Sequence, residues 1–558
     1  MNDIRVLCKA LTPRPASAEF RVADFYSERG AAGPSRLSSS RRWFRAEGML
    51  GRCVNKINTL VLILVFTVSL AANSSLLGTY YFGSDDYFQF DKSIADWFAT
   101  RGIWRIVGIP LPGWLVSRDV YAFALIAAHA IGGYFFFLVA RRGFGSVAYA
   151  LLLTIIVMAF PWGYEALVWA SAAAYVFASC LLWVILWALL SVRADQRQIY
   201  VCAAGLLFAS FLCLLIHEIV FFSLCVAGFI VWMRSDIRRD WKSAAAVSLA
   251  PLVGALLWGV INELTKPAEA VLLAERVPIL DVTHFRLRST LSPLFYQYRS
   301  LEVFDVWTND DLLIYAISTI QSLNLILALL ALCAVPFLVG AILRAARAES
   351  VDTVRQQKTQ ITPIAFLIWM VLVCEGAAFI YVLAGGYSPD SRNRYVFMPM
   401  VIMSAAAAIW LIWGPQRART FWPRGSSVAT SAICIFGCLT SLLVISVYRM
   451  EGKRIYLLAD LIVQNEISDS LQPDWNPDLI TIWPSSTAVS QEGIKRALDA
   501  RGYKPVLLTP QSTKRATWSM EEQRWYCCSG AETVAAVYAE SDSLSGQQIK
   551  NRECPGRC

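Results

Sequence analysis

Two adjacent carboxylates stand among aromatic rings in the stretch FGSDDYFQFD, residues 82–91, a few residues after a long apolar run. A carboxylate held near lipid headgroups is partly desolvated, which raises its basicity and suits it to take a proton from a hydroxyl. Asp85 and Asp86 are therefore candidate general bases. The alternative is structural, with Asp85 capping the helix that follows and Asp86 merely solvated.

A cationic pair precedes a later apolar run, in GGYSPDSRNRYVFMP. The guanidinium groups of Arg392 and Arg394 offer planar forks of donors that match phosphate oxygens. Tyr395 follows directly and is a further candidate for substrate binding. The alternative is that both arginines snorkel to the membrane surface, with Tyr395 in the interfacial aromatic belt.

Two more short segments between apolar runs carry ionisable groups. Glu165 lies in FPWGYEALVW, and His217 and Glu218 lie in LLIHEIVFF. For each of these residues two roles are open. One is a role in the chemistry of the site, and the other is headgroup anchoring or an interhelical hydrogen bond. His129 and Glu375 lie deeper in apolar runs, and the sequence leaves both unassigned.

The composition determines what kind of scaffold must position these groups. The chain has 558 residues, of which 56% are hydrophobic and only 16% charged, outside the usual balance of soluble domains. It is therefore predicted to be an integral membrane protein. The net charge of +9 is concentrated in the first 56 residues and in short loops, as the positive-inside rule expects, so no nucleic-acid partner is predicted.

About eleven membrane-spanning helices are predicted, because a hydrocarbon core of about 30 Å needs about 20 apolar residues. One apolar run, 199–233, would reach about 52 Å as a single helix, so it is divided at His217 and Glu218. The remaining spans are predicted at 57–77, 119–139, 146–161, 168–191, 243–263, 313–342, 362–384, 396–413 and 428–447.

Eleven crossings place every compact basic loop on the side of the basic N-terminus, as the positive-inside rule requires. The candidate acidic, histidine and arginine segments then all lie on the opposite, extracytoplasmic face. Ten crossings would put three arginine-containing loops outside, which disfavours that count.

Three regions surround or interrupt the 57–448 membrane domain. Residues 1–56 are basic and predicted to be disordered and cytoplasmic, with Met49 as an alternative start. An amphipathic surface helix is predicted at 87–107 and a packed outer loop at 264–312. Residues 449–558 are predicted to form a small extracytoplasmic α/β domain, with strands at LITIWP and PVLLTP flanking the helix SQEGIKRALDARGY.

Several signatures of cofactor chemistry are absent from the sequence. It contains no P-loop, no dinucleotide-binding glycine motif after a strand, no paired CxxC or HExxH metal motif and no GxSxG elbow. No cofactor is therefore predicted with certainty. A divalent cation held by carboxylates stays open, because spacing alone does not show one.

The many spans, the acidic motif Ser84-Asp85-Asp86 in the first outer loop, the surface helix after it and the outer C-terminal domain resemble the GT-C class of membrane glycosyltransferases. Within that class the chain looks most like bacterial enzymes that decorate surface polysaccharide of the cell envelope using polyprenyl-phosphate sugars. The resemblance covers residues 50–450 in architecture and rests in motif on that acidic stretch and on Arg392 to Tyr395.

The resemblance implies an all-α polytopic enzyme of the bacterial inner membrane with an extracytoplasmic active face. By position, Asp85 or Asp86 would act at the acceptor hydroxyl of a glycan, lipid or protein. An inverting displacement would then release polyprenyl phosphate, whose growing charge Arg392 and Arg394 would stabilise, with His217 as a weaker helper.

Two other functions use similar chemistry. A transporter or flippase for lipid-linked saccharide would also gather arginines near a phosphate, but it predicts charged residues along a path across the bilayer. A polysaccharide polymerase or ligase shares the substrates and differs in the size of what is transferred. The sequence identifies neither the sugar nor the acceptor, and it leaves metal dependence and oligomeric state open.

Overall fold

The computed structural model describes residues 56–77, 118–168, 172–191, 196–232, 241–265, 310–349, 368–369, 391–420, 426–464, 480–483, 514–519 and 524–529. The predicted N-terminal region, apart from Lys56, and the surface helix at 87–107 lie outside these residues. The predicted span 362–384 also lies outside them, except for Ile368 and Trp369.

Thirteen helices and three strands follow one another along the described chain. The helices are α1 Lys56–Leu76, α2 Arg118–Phe144, α3 Val147–Ala159, α4 Glu165–Val168, α5 Ala173–Ser191, α6 Gln196–Ile216, α7 Phe221–Ala227, α8 Phe229–Trp232, α9 Trp241–Thr265, α10 Asp310–Thr319, α11 Ser322–Glu349, α12 Ser391–Thr420 and α13 Ser426–Gln464. Short 3₁₀ turns lie at Ser74–Leu76, the last turn of α1, and at Glu218–Val220.

Eight of the described helices are long and apolar enough to cross a membrane: α1, α2, α5, α6, α9, α11, α12 and α13. A helix that is apolar on nearly all sides must be buried in protein or face lipid. The chain is therefore a multi-pass membrane protein with an all-α membrane region, as predicted. The predicted count of eleven spans stays a prediction.

The long apolar run at 199–233 is divided where the sequence predicts. Helix α6 ends at Ile216, and His217 adopts an extended conformation before the turn at Glu218–Val220. The second half differs from the prediction because it consists of the turn, α7 and α8 rather than one continuous helix. Gly228 separates α7 from α8, and a Cβ there would lie 1.9 Å from the Ser248 carbonyl oxygen on α9.

Several predicted spans have different bounds in the structure, and α13 continues to Gln464 although its span is predicted to end at 447. Helix α3 has 13 residues and reaches about 20 Å, short of the hydrocarbon thickness. Helix α5 begins at Ala173 rather than 168, and Val168 belongs instead to the short helix α4, which follows a turn at Gly163 with φ 65°. The predicted single span 313–342 is two helices, which meet at Ile320 and Gln321 within the polar stretch Ser318-Thr319-Ile320-Gln321-Ser322.

The predicted outer loop at 264–312 is also shorter than the sequence suggests. Its first residues, Leu264 and Thr265, belong to α9, and its last, Asp310 to Leu312, belong to α10. The remainder, 266–309, lies outside the described residues.

The two ends of the membrane bundle are distinguished by contacts between residues far apart in sequence. Leu76, at the end of α1, lies in one apolar cluster with Tyr395, near the start of α12, and we call this end the Tyr395 end. At the other end, the Arg141 Nη1 of α2 donates to the Asn58 Oδ1 of α1 over 3.0 Å. We call this end the Arg141 end.

Close helix approach holds the bundle together, since lipid gives no hydrophobic driving force between spans. A Cβ on Gly254 of α9 would lie 2.5 Å from the Leu207 carbonyl oxygen of α6, so these two backbones are nearly in contact. Aromatic pairs fill wider gaps, such as Phe136 edge-on to Trp183 with centroids 4.8 Å apart.

Three strands lie in the C-terminal region: β1 Ile480–Trp483, β2 Lys514–Ser519 and β3 Arg524–Ser529. β1 pairs in parallel with β2, and β2 pairs antiparallel with β3. β1 coincides with the predicted strand LITIWP. The predicted strand PVLLTP and its preceding helix lie outside the described residues, so the α/β domain as a whole stays a prediction.

Candidate functional site

The acidic and cationic candidates are described unequally. Asp85 and Asp86 lie outside the described residues. Arg392 and Arg394 occupy the first turn of α12, and only their backbone is described. The catalytic assignment of the two aspartates and the phosphate-binding assignment of the two arginines both stay predictions.

Tyr395 is the candidate whose surroundings are best defined. Its hydroxyl lies 2.5 Å from Nδ1 of His129 on α2, and both side chains are buried. The other ring nitrogen of His129, Nε2, lies 3.3 Å from the carbonyl oxygen of Met158 near the end of α3. One imidazole thus joins three helices, α2, α3 and α12.

The hydrogen bonds of His129 also determine which nitrogen holds the proton. A carbonyl oxygen only accepts, so the neutral ring must donate from Nε2 to Met158. Nδ1 then accepts from the Tyr395 hydroxyl. Both hydrogen-bonding groups of the ring are satisfied inside the bundle, which a buried polar side chain requires.

A small cavity borders this pair and extends toward Cys180 and Ser179 of α5 and toward Trp162. Its volume is about 20 Å³, which is room for roughly one water molecule. A cavity of this size does not hold a sugar phosphate. The assignment of Tyr395 to substrate binding stays a prediction.

Glu165 lies at the start of α4, at the Tyr395 end of the bundle. The hydroxyl of Tyr164 lies 3.4 Å from Glu165 Oε1, and the ring of Tyr164 stacks on Tyr448 of α13 with centroids 4.0 Å apart. Tyr164 also belongs to the apolar cluster that contains Tyr395 and Leu76. The turn that carries Glu165 is therefore fixed against both α12 and α13.

His217 caps the turn that carries Glu218. Its Nδ1 accepts from the Ile219 backbone N–H over 3.1 Å, and its ring packs on Tyr175 of α5 with centroids 4.1 Å apart. The same Nδ1 lies 3.5 Å from Glu218 Oε2. The two contacts need different protonation states, because Nδ1 accepts from Ile219 when unprotonated and donates to Glu218 only when protonated.

The elements that carry the candidates meet at the Tyr395 end. Helix α12, with Arg392, Arg394 and Tyr395, packs against α4 and against the turn at Glu218–Val220. Leu76 lies in the same apolar cluster as Tyr395, nine residues before Asp85 in the sequence. The structure does not describe side-chain contacts between the aspartates and the arginines.

Sequence reasoning missed two buried polar residues at this end, Asn324 and Arg449. Arg449 looks in sequence like an ordinary basic residue after a span, and Asn324 like a polar residue near the start of one. Burial of both is the distinguishing feature, and it depends on packing that the sequence pattern does not contain. His129 stands out in the sequence as an intramembrane ionisable group, but its partner Tyr395 lies 266 residues away.

Among the described residues, no group of three or more His, Cys, Asp or Glu side chains is arranged to hold a metal ion. Asp85 and Asp86 are not among those residues, so a divalent cation at the acidic motif stays a prediction.

Comparison of the chain with protein-family models, with curated proteins and with solved structures finds no match.

Proposed function

We propose that the protein is a membrane glycosyltransferase that moves a sugar from a polyprenyl-phosphate donor to a glycan, lipid or protein acceptor. The active face is the Tyr395 end of the bundle, on the extracytoplasmic side of a bacterial inner membrane. Asp85 or Asp86 takes the proton of the acceptor hydroxyl, and Arg392 and Arg394 bind the donor phosphate.

One observation carries this proposal. Helix α12, whose first turn carries Arg392 and Arg394, packs against α4 and against the turn at Glu218–Val220, and Tyr395 shares an apolar cluster with Leu76. Glu165 and Glu218 thus lie on elements that pack against the helix of Arg392 and Arg394, and the chain continues toward Asp85 from the end of α1 that lies in the same cluster as Tyr395. A transporter would instead be supported by charged side chains distributed across the bilayer.

The proposed chemistry accounts for both kinds of charge. The acceptor oxygen forms a bond to the anomeric carbon while the bond from that carbon to the phosphate oxygen breaks, and the proton passes to the carboxylate. Negative charge grows on the leaving phosphate, so fixed guanidinium groups stabilise the transition state more than the ground state. No nucleotide is consumed, since the sugar is already activated in the donor.

The test measures transfer of a radiolabelled sugar from polyprenyl-phosphate donors in membranes that contain the full chain. Asp85→Asn and Asp86→Asn remove each carboxylate while keeping its shape, and Asp310→Asn, an exposed carboxylate at the start of α10, is the matched control. We expect one aspartate variant to lose about 10²-fold or more in kcat, the usual contribution of a general base. The control is expected to match the wild type.

Arg392→Gln and Arg394→Gln test the donor side of the same reaction. We expect a lower kcat with a higher KM for the donor, because the phosphate is held in the ground state and carries more charge in the transition state. Wild-type transfer in both aspartate variants would overturn the catalytic assignment. Movement of the labelled donor across the membrane without transfer would favour the transporter instead.

A further inference from the structure

The Tyr395 end of α1 is an unusual helix end. Its last turn tightens into a 3₁₀ helix, Ser74–Leu76, and Leu77 then adopts an extended conformation. The last carbonyl groups of a helix have no partner within the helix and are ordinarily satisfied by water or by a local cap. Here the turn is buried, so water is not the natural partner for these groups.

Two side chains from helices distant in sequence donate hydrogen bonds to these carbonyl groups. Asn324 Nδ2, from α11, donates to the Leu77 carbonyl oxygen over 2.9 Å. Arg449 Nη1, from α13, donates to the Ser75 carbonyl oxygen. Both α11 and α13 pack against the turn itself, so the two donors reach it from two sides.

Both donors are deeply buried, with Arg449 3% exposed and Asn324 2% exposed. Burying a guanidinium is costly unless it is well hydrogen-bonded. A positive charge at the C-terminal end of a helix is favoured by the helix dipole, which offsets part of that cost.

The hydrogen bonds from Arg449 and Asn324 hold the chain shortly before the acidic motif in the sequence. Leu77 is eight residues before Asp85, so the fully extended chain between them reaches about 28 Å at most. A fixed starting point for so short a segment restricts where the carboxylates can lie. A displacement of Leu77 therefore shifts the region that the two carboxylates can reach.

We propose that Arg449 and Asn324 are positioning residues, which fix the end of α1 and thereby the place from which the Asp85–Asp86 segment leaves the bundle. The anchoring itself is independent of the reaction, whereas its effect on turnover rests on the proposed function. Arg449 also joins this end of α1 to the helix that leads into the C-terminal region.

Anchoring for stability alone would have a different kinetic signature. A positioning role predicts a lower kcat with an unchanged KM for the donor, because the donor phosphate is bound by groups on α12 rather than by α1. A small displacement of a catalytic group lowers the rate by as much as about 10²-fold. A purely structural role predicts less folded protein with normal kinetics in the fraction that folds.

The experiment compares four variants of the full chain in lipid nanodiscs. Arg449→Met removes the donor and keeps the side-chain length, Arg449→Lys keeps a donor, and Asn324→Ala removes the second contact. Arg141→Met is the matched control, because Arg141 holds α1 at its opposite end through Asn58. Hydrogen exchange of the peptide that contains Ser74–Leu77 and the steady-state kinetics of transfer are measured on each.

We expect exchange at Ser74–Leu77 to be about tenfold faster in Arg449→Met and moderately faster in Asn324→Ala, since local opening governs amide exchange. In Arg449→Met, kcat falls about tenfold at an unchanged donor KM, and Arg449→Lys recovers most of both readouts. Arg141→Met leaves exchange at Ser74–Leu77 and kcat at wild-type values.

Unchanged exchange at Ser74–Leu77 in Arg449→Met and Asn324→Ala would overturn the anchoring. Faster exchange with unchanged kcat would overturn the positioning role. If Arg449→Met does not fold, Asn324→Ala and Arg449→Lys decide both points. Failure of the proposed function is a separate result, because it is measured by transfer in Asp85→Asn and Asp86→Asn and leaves the exchange measurement valid.

Discussion

His129 and His217 are both buried histidines, but they are bonded to different parts of the molecule. His129 bonds to Tyr395, 266 residues away, and to the carbonyl of Met158 on a third helix. His217 Nδ1 accepts from the backbone N–H of Ile219, two residues away, and lies 3.5 Å from the carboxylate of its neighbour Glu218. The first ring connects helices, whereas the second shapes one turn.

The same type of side chain therefore stabilises the packing of helices at one site and the conformation of a single turn at the other. A bond between distant helices contributes to the folding of the whole bundle, because breaking it leaves polar groups unsatisfied inside protein. A bond within a turn mainly fixes the local backbone, as a capping residue does. Substitutions at the two sites should therefore differ in size and in how far their effects extend.

The largest effect is expected from Tyr395→Phe. The change leaves Nδ1 of His129 without its donor in a buried site, and we expect a loss of about 1–2 kcal/mol in the free energy of unfolding. Unfolding in detergent micelles measures it. Tyr134→Phe, on α2 with its ring edge-on to Phe135, is the control.

A double-mutant cycle with His129→Leu sharpens this result. If the two side chains act as one unit, the second substitution costs less than it does alone, with a coupling of at least about 0.5 kcal/mol. Additive costs would show that the hydrogen bond does not stabilise the bundle.

An intermediate effect is expected from His217→Ala. The turn loses the acceptor for the Ile219 N–H, which costs about 1 kcal/mol at a typical cap. His217→Asn supplies a capping oxygen and should recover most of the loss. An increase in hydrogen exchange that is confined to residues 218–220 would support the local role. Faster exchange in α2 or α12 would contradict it.

The smallest effect is expected from Glu218→Gln. The carboxylate is partly exposed and lies 3.5 Å from His217 Nδ1, and pairs of this kind contribute at most about 1 kcal/mol. We expect a change below about 0.5 kcal/mol that shrinks further at high salt. A loss as large as that of Tyr395→Phe would remove the distinction between the two histidine sites.

The sequence pattern predicted the membrane class because hydropathy depends only on local composition. It also predicted the break at His217, since an apolar run too long for the bilayer must turn somewhere, and a polar pair at its middle is the favoured place. It failed at α10 and α11, where the polar residues around Gln321 are weaker signals than a charged pair. It also did not predict the separate helix α4, because the turn at Gly163 that precedes α4 depends on backbone conformation rather than on hydropathy.

The candidate site was less predictable than the fold. Sequence reasoning selected Tyr395 beside two arginines, but its contact with His129 depends on how α2 and α12 pack. Arg449 was missed for the same reason, because an arginine after a span is ordinarily a topological signal. The roles of Asp85, Asp86, Arg392 and Arg394 stay predictions, since their side chains lie outside the described part of the chain.

Helix α13 has 39 residues and is about 58 Å long, nearly twice the hydrocarbon thickness. Its last 15 residues, 450–464, extend about 22 Å beyond Arg449. A flexible segment of the same length would let the distance between its two ends vary, whereas a helical spacer keeps that distance nearly constant. Gln464 is thus held at a nearly constant distance from Arg449, and a rotation of α13 about its own axis would reach the end of α1 through the hydrogen bond of Arg449.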